Sequence, residues 1–62
     1  MDVKQITNEK DLRSATILLN ASGLSMCNAK TVEELVEHFG TAKDLLIELY
    51  KYNATRIIGN QQ

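Results

Sequence analysis

The stretch TVEELVEHFGTAKDLLIELYKY, residues 31–52, carries the pattern on which the fold depends. Thr31 is followed three residues later by Glu34, and this Thr-x-x-Glu pattern is the capping box that begins many helices. Apolar residues recur at helical spacing on both sides of Gly40. Glycine often ends a helix, because without a Cβ it adopts the left-handed conformation at no steric cost. The stretch therefore predicts a helix, a glycine stop and a second helix.

Two further glycines and one asparagine extend this division to the whole chain. Asn8 is a good N-cap, while Gly23 and Gly59 stand where helices are expected to stop. The sequence thus predicts an all-α domain over residues 1–62. Its predicted elements are three helices at about 8–22, 31–39 and 41–58, the third capped by Thr41, and a frayed tail at 59–62. The segment DVKQI near the start alternates like a strand but has no predicted partner strand.

The composition limits what such a chain can do. A domain of 62 residues is only marginally stable alone, and one cysteine and one histidine supply neither a disulfide nor a usual four-ligand zinc site. Association with a partner or a second copy is the remaining way to stabilise it. The net charge of −1 is unlike that of a protein that neutralises many phosphates. No apolar run is long enough to span a membrane, and no secretory signal is visible, so we expect a cytoplasmic protein.

The two predicted helices around Gly40 resemble the generic helix-turn-helix motif. The apolar positions that fix such a pair fall on Leu35, Phe39, Leu46 and Leu49. Members of the motif usually have a small residue where Val36 stands and an aliphatic residue where Thr41 stands. The reading helix would also present Asp44 and Glu48, whose charge is wrong for phosphate. A DNA-binding transcriptional regulator is therefore the alternative function, with DNA-contacting residues Lys43, Ile47, Lys51 and Arg56.

The third predicted helix favours binding to protein instead. Its broad apolar side places Leu46 and Asn53 at heptad position a and Leu49 at position d. An asparagine at a can set the register and oligomeric state of paired helices, although a place near the helix end also explains it. These three residues are the predicted determinants of the dimer and the core.

The other side of that helix and the acidic face of the second helix are the predicted partner-binding surfaces. They comprise Ile47, Lys51, Ala54 and Ile58 on one, and Glu33, Glu34 and Glu37 on the other. A stripe with spacings of seven and four is typical of a helix that lies in a partner's groove.

No pattern in the sequence indicates catalysis. The chain has no glycine-rich phosphate loop or nucleophile elbow, His38 has no nucleophile beside it, and Cys27 has no activating cluster. We expect no enzyme activity, cofactor, metal or small-molecule substrate. The predicted function is a cytoplasmic protein-interaction or regulatory module, homodimeric, like short bacterial or phage-encoded accessory proteins.

Overall fold

The chain forms a hairpin of two helices. A computed structural model describes residues 3–59, in which α1 spans Glu9–Cys27 and α2 spans Val32–Gly59. A short loop over residues 28–31 joins them, and no strand is present within 3–59. The prediction of an all-α protein is confirmed, whereas the prediction of three helices is wrong.

The start of α1 follows the local signal in the sequence. The side chain of Asn8 accepts a hydrogen bond of 2.9 Å from the backbone N–H of Asp11, as an N-cap residue does. The end of α1 differs from the prediction, because the helix continues through Gly23 to Cys27. There Asn28 closes it, and its side-chain amide donates 2.9 Å to the carbonyl of Leu24.

The start of α2 also matches its predicted cap. The backbone N–H of Glu34 donates to the hydroxyl of Thr31 at 3.1 Å, and the Glu34 carboxylate accepts from the backbone N–H of Lys30 at 3.0 Å. These two bonds satisfy backbone donors that the helix itself leaves unpaired. The capping signal at Thr31 is therefore confirmed.

The predicted break at Gly40 is absent, and with it the helix-turn-helix. Gly40 does not adopt a positive φ, so it lacks the conformation of a glycine stop. Thr41, predicted to cap a third helix, instead donates its hydroxyl to the carbonyl of Glu37 one turn earlier, at 3.4 Å. A glycine inside a helix costs only about 1 kcal/mol relative to alanine. Apolar residues that continue in phase on both sides outweigh that cost.

Replacing Gly40 by alanine tests this continuity. Apart from its chain neighbours and the nearby backbone of its own helix, no atom lies within 4 Å of a Cβ added at Gly40, so Gly40→Ala is expected to stabilise the protein by about 0.5–1 kcal/mol. If Gly40 were a left-handed stop, the same change would destabilise the protein by about 1 kcal/mol. Urea unfolding at fixed protein concentration measures the difference. Gly23→Ala is the matched control, since that position is equally open and helical.

The core lies where the two helices meet the segment before α1. Ile6, Ala15 and Leu45 form the buried cluster, and Leu45 is only 2% exposed. The hydrophobic residues packed against it are Val3, Leu12, Leu19, Leu49 and Tyr52. Residues 3–7 form no strand, and the remainder of the strand-like segment lies outside the described residues. The segment instead contributes Ile6 to the core.

The hairpin is long and thin. Its extents are 48 × 18 × 17 Å and its radius of gyration is 13.4 Å, whereas a compact chain of this length has about 10.6 Å. Its accessible surface is 4970 Å², compared with about 4,000 Å² for a compact monomer of this mass. The fold therefore leaves roughly 900 Å² more surface in contact with solvent than a compact chain would.

Candidate protein-interaction surface

Much of the apolar side-chain surface is outside the core. The large hydrophobic residues left exposed are Ile17, Leu18, Leu24, Val32, Leu35, Val36, Phe39, Leu46, Ile47, Tyr50, Ile57 and Ile58. Single exposed apolar residues are ordinary on a protein surface, but a continuous set marks a binding surface. The arrangement of these residues on α2 therefore decides whether they form a binding surface.

Six of the nine large apolar residues that are exposed on α2 form one row along the helix. At about 100° per residue, the row lies about 120° around the helix from buried Leu45. We call it the α2 stripe, and its members are Val32, Val36, Phe39, Leu46, Tyr50 and Ile57. It runs on both sides of Gly40, because the helix is unbroken there. A helix with two apolar faces about 120° apart is typical of a bundle, where each helix packs against two neighbours.

The C-terminal half of the stripe borders a shallow groove of ≈ 400 Å³. Its lining residues are Leu46, Leu49, Tyr50, Asn53, Ala54 and Ile57. Five of these six side chains are mainly apolar, so an apolar side chain from a partner would suit the groove.

The predicted determinants of the dimer lie in different environments. Leu49 packs against the core, whereas Leu46 is 54% exposed and belongs to the stripe. The amide of Asn53 donates 2.9 Å to the carbonyl of Leu49, and its oxygen accepts 2.9 Å from Arg56. Asn53 thus has hydrogen-bond partners within its own helix, which agrees with the simpler of the two explanations given for it.

The predicted partner-binding residues of the C-terminal half flank the stripe. Ala54 lines the same groove as the stripe residues, and Ile47 and Ile58 are exposed about 80–100° further around the helix. Lys51 is paired with Glu48 on the same helix at 3.2 Å. The structure therefore brings Ala54 to the stripe but places the other three residues beside it.

The acidic residues lie in the first turns of α2. Glu33, Glu34 and Glu37 are all exposed, and the Glu34 carboxylate is bonded to the cap. Among residues 3–59 no three acidic, histidine or cysteine side chains converge as a metal site would require. Negative side chains here are favourable because the positive end of the helix dipole lies at this terminus.

Three of the four residues expected to contact DNA, Lys43, Ile47 and Lys51, lie along one side of α2, and the fourth does not. Arg56 lies about 140° around the helix from Lys43 and contacts Asn53. The scaffold predicted to present them, a second helix set at an angle after a turn, is replaced by one straight element.

Comparison with known proteins adds no relative. No family model, no curated protein and no solved structure matches this chain. Neither α1 nor α2 combines the length and apolar character that crossing a bilayer requires.

Sequence reasoning missed most of the stripe. Val32, Phe39 and Leu46 are spaced by seven residues across Gly40, and this spacing predicts one helix face if the glycine is read as helical. A glycine stop at position 40 instead assigns the residues on its two sides to different helices.

Proposed function

We propose that this protein is a small helical protein-interaction module that acts as a homodimer and binds through the α2 stripe. The observation that carries the proposal is the row of exposed apolar side chains along the whole of α2. Val32 and Tyr50, near its two ends, are each 75% exposed, and Phe39 between them is 57% exposed. A binding role, rather than a catalytic one, is part of the proposal.

The amount of excess surface supports this proposal. A standard protein interface buries about 800 Å² on each partner, close to the roughly 900 Å² by which this hairpin exceeds a compact monomer. A little over half of an interface is apolar, and covering that part on both partners, at about 25 cal/mol per Å², offsets the entropy lost on association. A second chain would supply the packing that two helices cannot supply for themselves.

The location and the alternative function depend on Cys27 and on Gly40. We propose a cytoplasmic location on the argument that the lone Cys27 is unpaired and exposed, as reducing conditions permit. The DNA-binding alternative depended on a turn at Gly40, and α2 has none there. The continuous helix therefore removes the basis of that alternative.

Sedimentation equilibrium over a wide range of protein concentrations tests the proposal. We expect a reversible monomer–dimer equilibrium whose helix content is high in both states. A well-folded species that stays strictly monomeric at the highest concentration would contradict homodimerisation. The complementary measurement is unfolding, since the stability of a dimer rises with protein concentration and that of a monomer does not.

A further inference from the structure

We infer that two copies of this chain pair through their α2 stripes in antiparallel orientation, so that the N-terminal end of one α2 lies beside the C-terminal end of the other. The inference rests on the proposed homodimer and adds its geometry. The occupant of the stripe is a second copy, because the two ends of α2 carry unlike charge and so complement each other in a pair of identical helices. The excess surface of the whole chain, roughly 900 Å², is also of the size that one partner contributes to a standard interface.

The charge along α2 favours this orientation. Its first ten residues, 32–41, contain Glu33, Glu34 and Glu37 and no lysine or arginine. Residues 46–59 contain Lys51 and Arg56 and one carboxylate side chain, that of Glu48, which is paired with Lys51. The N-terminal end of α2 is therefore acidic and its C-terminal end weakly basic. An antiparallel pair brings these unlike ends together. The charged side chains lie about 100–160° around the helix from the stripe, so they act through the field at each end of the pair and not through direct contacts. A parallel pair would place like charges together at both ends, which costs free energy and opposes association.

The backbone dipoles act in the same direction. Each helix carries partial positive charge at its N-terminus and partial negative charge at its C-terminus, so neighbouring helices attract when antiparallel. In parallel helix pairs, asparagines at facing a positions can hydrogen-bond to each other across the interface. Asn53 gives no such reason for a parallel pair here. Its amide is already bonded to the Leu49 carbonyl and to Arg56 within one chain.

The resulting dimer is an arrangement of four helices. In each copy, the face of α2 that carries Leu45 packs on α1, and the stripe about 120° away packs on the partner's α2. The two-fold axis passes near the middle of α2, so residues in the middle lie close to their own copies and residues at the ends do not.

Distances between identical labelled sites test the orientation. In a Cys27→Ser background, a nitroxide label is attached to Glu33→Cys or to Asp44→Cys, both exposed positions outside the stripe. In the antiparallel dimer the labels at 44 should be about 20–30 Å apart, because each points away from the interface and the two label arms add to an interaxial distance of about 10 Å. The labels at 33 should be about 40–45 Å apart, because each lies about 12 residues from the middle of α2 at 1.5 Å per residue.

The two label distances, together with the association state, distinguish a wrong orientation from the absence of a dimer. A short distance at 44 with a long distance at 33 supports the antiparallel pair. Short distances at both sites would mean a parallel pair, which overturns the inference and leaves the homodimer intact. Sedimentation of the same labelled chains shows whether they associate, and a folded monomer would overturn both. Mixing with excess unlabelled chain should abolish the dipolar signal, which confirms that each distance is between copies.

Discussion

Phe39→Glu is expected to convert the proposed homodimer into a folded monomer. Phe39 stands in the N-terminal half of the α2 stripe and is the stripe's only phenylalanine. Removing an aromatic anchor from an interface typically costs about 2 kcal/mol or more. A symmetric dimer loses the contact twice, so the loss is about 4 kcal/mol, or roughly a thousand-fold in the dissociation constant. Burying the new carboxylate against a partner would add to this cost.

The hairpin itself should survive this change. Phe39 is 57% exposed in the single chain and is not part of the buried cluster. Glutamate is a good helix former, so the intrinsic propensity of α2 is not reduced. Sedimentation equilibrium with far-ultraviolet circular dichroism should therefore report loss of the dimer at nearly unchanged helix content.

A matched control distinguishes the stripe from apolar surface in general. Ile17→Glu makes a similar change at a residue that is 68% exposed on α1, away from the stripe. This variant should dimerise as the original chain does. Equal weakening by both substitutions, or a Phe39→Glu chain that remains dimeric, would show that the stripe is not the interface.

The sequence predicts the beginnings of the helices well because capping is a local interaction. Asn8 and Thr31 each accept a hydrogen bond from a backbone N–H three residues ahead, and no distant residue is needed to form it. Fold class also follows from local information, since the helical periodicity is present within each stretch.

The ends of the helices are less predictable because they depend on a balance between the local preference of one residue and the packing of the whole helix. At Gly40 the local preference for a stop is worth only about 1 kcal/mol, and it competes with hydrogen bonds and packing along the whole helix. The apolar side chains on both sides remain in phase, so a straight helix retains contacts that a turn would lose. Asn53 shows the same limit, since its hydrogen-bond partners could not be read from the heptad position alone.

The candidate surface was predictable only in part, and Leu45 and Leu46 show why. Both fall on the broad apolar side of α2 when it is treated alone. The position of α1 and of Ile6 decides which of them is covered, and that is a tertiary contact. In the hairpin Leu45 is 2% exposed and Leu46 is 54% exposed. Truncating these two leucines should therefore have different effects on stability.

Leu45→Ala is expected to unfold most of the protein. Truncating a fully buried leucine typically costs about 2–5 kcal/mol, and a chain this small has little stability to lose. Leu45 is the most deeply buried large side chain among the described residues, and it belongs to the cluster that holds α1 and Ile6 to α2. The surrounding helices cannot collapse into the space without losing those contacts. Circular dichroism at 25 °C and urea unfolding should show loss of helix content and of the cooperative transition.

Leu46→Ala is the neighbouring control, and its effect should be of a different kind. Because Leu46 is about half exposed, the single chain should remain folded and lose less than about 1 kcal/mol. The dimer should weaken, however, so unfolding at high protein concentration should be affected more than unfolding at low concentration. Equal destabilisation by the two substitutions at every concentration would contradict the placement of one leucine in the core and the other on the stripe. The ratio of the two effects at low concentration is therefore a direct measure of which face of α2 packs within one chain.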